Sequence, residues 1–497
     1  MRPMEDRKAS IQPIRSKLKL SILEDSDIRA IDETALNILD EVGVYMPLER
    51  ALQIYADAGA KVDFVNQIVK IPPDLVKQSM AKAPRQYVMA GRDRPELDLK
   101  IGGDEGTYFM NGGTTSRTVD FVTREERPPC KDDVAKMARI VDYLPIISYF
   151  FPNVSPQEHL KSCMFHELEA SFNNTEKHVL TETVLGEVQT NYAIEMASVV
   201  VGGRQRLKER PILSVLIGTV APLSHDREAL ETTLGFAEAG LNVGYVSMPV
   251  MGTTAPASQA GALAIGFAEV LSGIVLVQLV NPGCPCFITM LSAILDPRSG
   301  EFVYSSTSAQ LVDAAAVQLA HHYGVPNFGG CAWGGSSYEL DRWQVGRENV
   351  YLPLLEVMLG ADVCLSMGVI GDDNLFHPAR IIFDREIFQV VDMVSRGIEV
   401  TNDTLRFDTI REVGPRGHFL GQRHTAENLP KLWPSSILFK KSKEPTKRYE
   451  DPAEVAWEEI NWIVENHQVP QLDPKVRSEL KRIIEAAEKE LGARSSV

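Results

Sequence analysis

A cation without N–H groups cannot be held by hydrogen bonds; it is held by ring faces, polarisable sulfur and dispersion. Residues that offer these recur in one kind of place in this chain. Phe109, Met248, Met251, Trp333 and Phe376 each stand at or just beyond the end of an apolar run, close to glycine. Trp333 is the sharpest of them, set between Cys331-Ala332 and Gly334-Gly335. Beside them stand Asn111, ahead of Gly112-Gly113, and His377, directly after Phe376. The segment 336–347, Ser-Ser-Tyr-Glu-Leu-Asp-Arg-Trp-Gln-Val-Gly-Arg, adds Tyr338 and two cations, Arg342 and Arg347, suited to a carboxylate at the far end of a small zwitterion. Paired carboxylates and nucleophile–base sets, which a hydrolase needs, are scarce at these ends. The set therefore points to a pocket for a quaternary ammonium ion. Each ring taken singly is as well read as core packing, Trp333 least so, and either arginine could instead pair with Glu339, Asp341 or Glu348 on a helix surface.

Two further clusters invite chemistry and carry less of it. Cys284-Pro285-Cys286 with His321-His322 could bind zinc, but there is no second cysteine pair and no H-E-x-x-H, so structural cysteines are expected and no metal. His418 and His424 lie in Gly-His-Phe-Leu-Gly-Gln-Arg-His-Thr at 417–425, a polar cluster expected to clamp the fold or close over its site.

The elements that must position these residues follow a rhythm. From about residue 106, apolar runs recur at 107–111, 146–153, 178–183, 212–219, 243–252, 285–293, 326–333 and 362–370, separated mostly by helix-length stretches rich in Ala, Leu and Glu. Parallel strands need crossover helices and, buried on both faces, read as continuous apolar runs. This predicts an α/β fold, a (β/α)8 TIM barrel over 106–425 whose strand C-termini hold the site. An open doubly wound sheet competes, but no G-x-G-x-x-G follows the first strand. Residues 1–105 read as an N-terminal α+β extension, and 426–497 as a C-terminal helical tail packing on the barrel.

The chain has 497 residues, 44% apolar, and a net charge of −16, which excludes the basic face that nucleic acid requires. No run reaches the roughly 18 apolar residues of a membrane span. The longest, near 260–280, is interrupted by Glu269 and Gln278 and reads as a core helix. Six cysteines in a chain of this length suggest reduced thiols and, with no apolar leader at the start, a cytoplasmic protein with neither nucleic acid nor membrane as partner.

Several pieces, in order and spacing, resemble the trimethylamine methyltransferase family along nearly the whole chain. They are Gly112-Gly113-Thr114, Asp120, Arg127-Pro128 and Asp132-Asp133, then Pro249-Val250-Met251-Gly252-Thr253-Thr254-Ala255-Pro256, Asn327-Phe328-Gly329-Gly330, and the segment 417–425. The resemblance implies a barrel that presents a methylated amine to a separate corrinoid (cobalamin) protein, the methyl acceptor. No cofactor is then bound tightly by the chain itself. It implies that the glycine-rich rims Gly112, Gly113, Gly334 and Gly335 meet the corrinoid, and it agrees with a homo-oligomer. Founding members of the family carry pyrrolysine, and every residue here is a standard one, which is similar to the branch that demethylates quaternary amines such as glycine betaine. A quaternary nitrogen leaves as a neutral tertiary amine and needs no general acid. Proline betaine, carnitine, γ-butyrobetaine and trimethylamine remain alternatives, as do a betaine-binding protein without turnover and a zinc-dependent methyltransferase.

Overall fold

The computed structural model describes residues 5–330, 343–371, 374–432 and 435–494. All eight apolar runs form parallel strand positions: β1 (Tyr108–Asn111), β2 (149–150), β3 (Val179–Thr181), β4 (Leu213–Gly218), β5 (Val243–Ser247), β6 (Cys286–Met290), β7 (327–328) and β8 (Val363–Met367). Each pairs with the next in chain order, through Met110 opposite Tyr149, Phe150 opposite Val179, and Ile288 opposite Asn327 where only isolated bridges form. Phe328 pairs with Val363, and β8 returns to β1 through Val363 opposite Tyr108, so the pairings close into a cycle. The cycle encloses its own apolar cluster, which includes Met110, Phe151, Leu180, Leu216, Val246, Phe287 and Phe328. The alternate residues of each strand face helices, as a pleated strand requires.

The helices that follow the strands are α4 (Lys131–Tyr143), α5 (Cys163–Asn174), α6 (Glu187–Val201), α7 (Arg227–Ala239), α8 (Gln259–Val280), α9 (Thr307–His322), α10 (Trp343–Leu359) and α11 (Arg380–Arg396). Ahead of them, α1 (Asp25–Asn37), α2 (Glu49–Asp57) and α3 (Pro73–Met80) pack across α8. That cover explains α8's composition. A helix with strands on one side and helices on the other has no wet face, so it is apolar all round. By length and composition it could cross a membrane, yet most of it is buried in the fold.

Buried acids are spaced around the helix layer: Glu167 on α5, Glu269 on α8, Asp313 on α9, Glu356 on α10 and Asp384 on α11. Burial pushes all five above the ordinary carboxyl range, Glu167 to about 8. Four of them hold strand-end backbone or hydroxyls. Glu269 accepts the Thr219 and Ser247 hydroxyls, both at 2.7 Å, and the Leu223 N–H at 2.8 Å. Asp313 accepts the N–H (2.7 Å) and hydroxyl (2.8 Å) of Ser292. Glu167 accepts the Thr183 hydroxyl at 2.8 Å, and Asp384 the Gly368 N–H at 2.9 Å.

At the other end of the strands, His467 joins the two ends of the chain. Its ring bridges Asp142 of α4 (2.9 Å) and Asp6 (2.6 Å). Burial alone would lower its pKa, but the hydrogen bonds and charges of the two aspartates prevail and hold it above 6.5. A histidine whose folded pKa is raised contributes its full stabilisation below the unfolded value and loses it as pH climbs through the folded one. The gap in melting temperature between wild type and His467→Gln is therefore expected to be wide near pH 6 and narrower near pH 9. Equal gaps at both pH values would show that the ring is held neutral. Buried Lys177, pushed down to about 7, is present in both proteins.

Candidate functional site

The hydroxyls bonded outward to buried acids fix which strand-end residues point inward. Thr183 reaches Glu167, Thr219 and Ser247 reach Glu269, and Ser292 reaches Asp313. By alternation their neighbours Glu182, Gly218, Met248 and Leu291 face the axis of the cycle, one layer above Leu180, Leu216 and Val246. This layer stands at the C-terminal ends of β3 to β6, the mouth of the cycle, with Leu291 buried in it. Met248 is 38% exposed there, and a Cβ added at Gly218 would meet nothing within 4 Å. Glu182 is the ionisable group of the layer. Its carboxyl accepts the Thr114 N–H at 2.8 Å from the loop after β1, and burial raises its pKa above the ordinary value. No cation is paired with it among the described residues.

The rest of the mouth is braced. Asn111 and Asn153 bond to each other at 2.6 Å. The Asn153 amide donates to the Gly112 carbonyl (2.8 Å), Phe151 N–H donates to the Asn111 side chain (3.0 Å), and Gly112 N–H donates to the Met367 carbonyl (2.9 Å). These bonds join β1, β2 and β8. Gly329 and Gly330, at the end of β7, lie against the Glu356 carboxyl and against the Met290 carbonyl and Asp313.

The sequence candidates divide accordingly. Met248 lies in the mouth. Asn111 is a staple between strands, with its amide occupied by the chain itself. Gly112 and Gly113 are buried, not a free rim. Phe109 faces outward: its ring sits 4.4 Å from that of Phe388 on α11, because Tyr108 and Met110 take the inward positions. Phe376 is likewise core, in a small sheet that pairs with strand 117–119. His377 is half-buried with its ring 5.3 Å from Trp457, and desolvation lowers it to about 4, so it is neutral. Met251 packs into the main core. Arg347 is exposed near the start of α10, 3.4 Å from the Thr307 hydroxyl at the start of α9. Trp333, Gly334, Gly335, Tyr338 and Arg342 lie outside the described residues. The sequence reading missed Glu182. Period two counted back to Leu180 marks it as inward, and its setting as a lone acid between two threonines is visible in the sequence.

Comparison with known proteins bears on the whole chain. The profile of the family described as trimethylamine methyltransferase (MTTB) matches residues 2–492. The chain belongs to this family. It is a methyltransferase. The trimethylamine methyltransferase MttB of Desulfitobacterium hafniense (strain DSM 10664 / DCB-2) is 30% identical over 481 residues, 96% of each chain. The glycine betaine methyltransferase of Desulfitobacterium hafniense (strain Y51) is 29% identical, covering 95% of this chain and 98% of its own. The monomethylamine methyltransferase MtmB of Methanosarcina barkeri aligns in structure over 96% of both chains, with a TM-score of 0.47 and 9% identity.

In this methyltransferase several of the pieces that carry the family likeness are scaffold. Arg127 forks onto Asp133 (2.7 and 2.8 Å) and reaches Asp120 (2.7 Å), tying a hairpin to the first turn of α4. The 249–256 stretch is a turn in which the Thr254 hydroxyl caps the Val250 N–H at 2.9 Å. Cys284 and Cys286 lie at the opposite end of β6 from the mouth, buried, with both thiols raised by burial, Cys284 to about 12. Among the described residues one close set of metal-ligand types occurs, His159, His166 and Glu488. The two rings stack at 3.6 Å and 13°. An ion must lie in the plane of each imidazole that binds it, and such parallel rings share no such point. In the segment 417–425, His418 is exposed, and among the described residues the backbone hydrogen bonds of this part of the chain run within it.

Proposed function

We propose that this enzyme takes one methyl group from a quaternary amine, glycine betaine being favoured, and passes it to Co(I) of a corrinoid carried by a partner protein, releasing dimethylglycine. The closed cycle of parallel pairings supports reading the catalytic fold as a (β/α)8 barrel with its site at the strand C-termini. A relative named for glycine betaine, at 29% identity over nearly the whole chain, supports the substrate class. Glu182 carries the reading. A carboxyl without a cationic partner among the described residues, in the same layer as exposed Met248, is completed by a permanent cation that rings and sulfur also favour.

The chemistry asks little acid–base work of the protein. The carbon–nitrogen bond breaks with its electron pair going to nitrogen, and a neutral tertiary amine leaves. The acceptor supplies the pair for the new bond to carbon. The chain's own residues bind the ammonium, aim one methyl outward through the mouth and exclude water.

Purified enzyme, a Co(I) corrinoid protein and each methylated amine, mixed in turn, decide the matter by the methyl-Co(III) absorbance. Growth with glycine betaine and none with trimethylamine supports the reading; turnover of trimethylamine alone overturns it. A parallel test addresses Trp333. Removing a ring that faces the ammonium costs roughly 1–2 kcal/mol, about five- to thirty-fold in affinity. Trp333→Ala is expected to lose this and Trp333→Phe to keep much of it, with melting temperature measured alongside. A stable Trp333→Ala protein of unchanged affinity removes the residue from the site.

A further inference from the structure

Two glycines stand on the inner face of the cycle in neighbouring strands, and they do opposite things. Gly244 of β5 shares its face with Val246 and pairs with Phe287 of β6. A Cβ at Gly244 would stand 1.9 Å from the Phe287 ring, so this glycine lets the ring cross the axis, and the ring fills the room. Gly218 of β4 shares its face with Leu216. Its backbone is not left-handed, and a Cβ there would meet no described atom within 4 Å. Neither conformation nor packing calls for glycine at 218. A closed cycle of eight strands has an interior that side chains just fill, so room left at a strand end is room for something else.

Pairing fixes what borders that room. Val215 lies opposite Thr181, and Gly218 opposite Val246. Counting on along the strands sets Leu216 beside Glu182, so Gly218 is the diagonal neighbour of Glu182 on one side and of Met248 on the other. The three form a line that climbs across β3, β4 and β5: a half-buried carboxyl, a gap where a side chain is missing, and an exposed thioether. Val220, two residues beyond Gly218, is 49% exposed. A carboxyl on one border and polarisable sulfur on the other favour a compact cation with apolar substituents. Glu182 answers to the charge of that cation and is indifferent to its size; the gap answers to size. Resting on the reading of the mouth as a quaternary ammonium site, we infer that Gly218 is its size-determining residue. The substituents on nitrogen occupy the gap between Glu182 and Met248, and the lack of a side chain at 218 admits a fully substituted nitrogen.

Calorimetry of the full-length chain with tetramethylammonium, and competition against it by methylammonium, tests this. One methyl group in a fitted pocket changes discrimination by about ten-fold or more. Gly218→Ala is expected to bind tetramethylammonium about ten-fold more weakly and Gly218→Val at least about a hundred-fold, while either loses less than about three-fold for methylammonium, whose small head still reaches Glu182. Melting temperatures are measured alongside. Should the valine variant fail to fold, the alanine variant decides, because its methyl group meets no described atom within 4 Å. Equal losses for the large and the small cation would mean a distorted mouth, and unchanged affinity for tetramethylammonium an idle gap; each overturns the inference and leaves the ammonium reading in place. A wild type that binds neither cation overturns both.

Discussion

Glu182→Gln is expected to weaken quaternary ammonium binding about thirty-fold, roughly 2 kcal/mol, while leaving the fold intact. The glutamine oxygen can still accept the Thr114 N–H, so the substitution removes charge and little else. Two unit charges about 4 Å apart at a partly wet site attract by about 4 kcal/mol. Part of this is offset by desolvation of the carboxylate and by the need to ionise it first. The second cost brings a pH signature. Burial raises the Glu182 pKa above 4.5, and only the ionised form counters the cation. Affinity should therefore fall as pH drops through that raised value, and the glutamine variant should bind with the same weak affinity across the range. Calorimetry with glycine betaine and with tetramethylammonium at several pH values reads both effects. If wild type and variant bind alike and neither responds to pH, Glu182 does not face the ammonium.

How Glu182 escaped notice shows where the sequence stops being legible. The strands were readable because strands buried on both faces are continuous apolar runs, and all eight lie where those runs lie. The same property hides which face a residue takes. In Tyr108-Phe109-Met110-Asn111 every side chain is apolar or neutral, so nothing in the string distinguishes the inward Met110 from the outward Phe109. Parity becomes readable where a hydroxyl or acid interrupts the run. Thr183, Ser247 and Ser292 do this, but only knowledge that Glu167, Glu269 and Asp313 wait behind them turns that pattern into a direction. Those acids are far away in sequence. Glu269 was legible only as a reason to doubt a membrane span, when its work is to hold the ends of β4 and β5.

Gly330→Ala is expected to cost about 3 kcal/mol of stability, the upper part of the range for overpacking, and to abolish methyl transfer in the protein that remains folded. The backbone there is not left-handed, so the penalty is spatial. A Cβ at this position would stand 2.3 Å from the Met290 carbonyl oxygen and 2.6 Å from Cβ of Asp313. Neither neighbour yields cheaply. Met290 ends β6, whose backbone is tied to β5, and Asp313 is held by two bonds from Ser292. Relief must come from moving the end of β7, and with it the chain that leads into Trp333. Gly218→Ala is the matched control. It too is a strand-end glycine of the mouth, but its added methyl meets nothing within 4 Å, so stability should change by less than about 0.5 kcal/mol. Chemical denaturation of the pair separates packing from site. A Gly330→Ala protein as stable as wild type, beside a destabilised Gly218→Ala, would mean that the end of β7 is not wedged between β6 and α9.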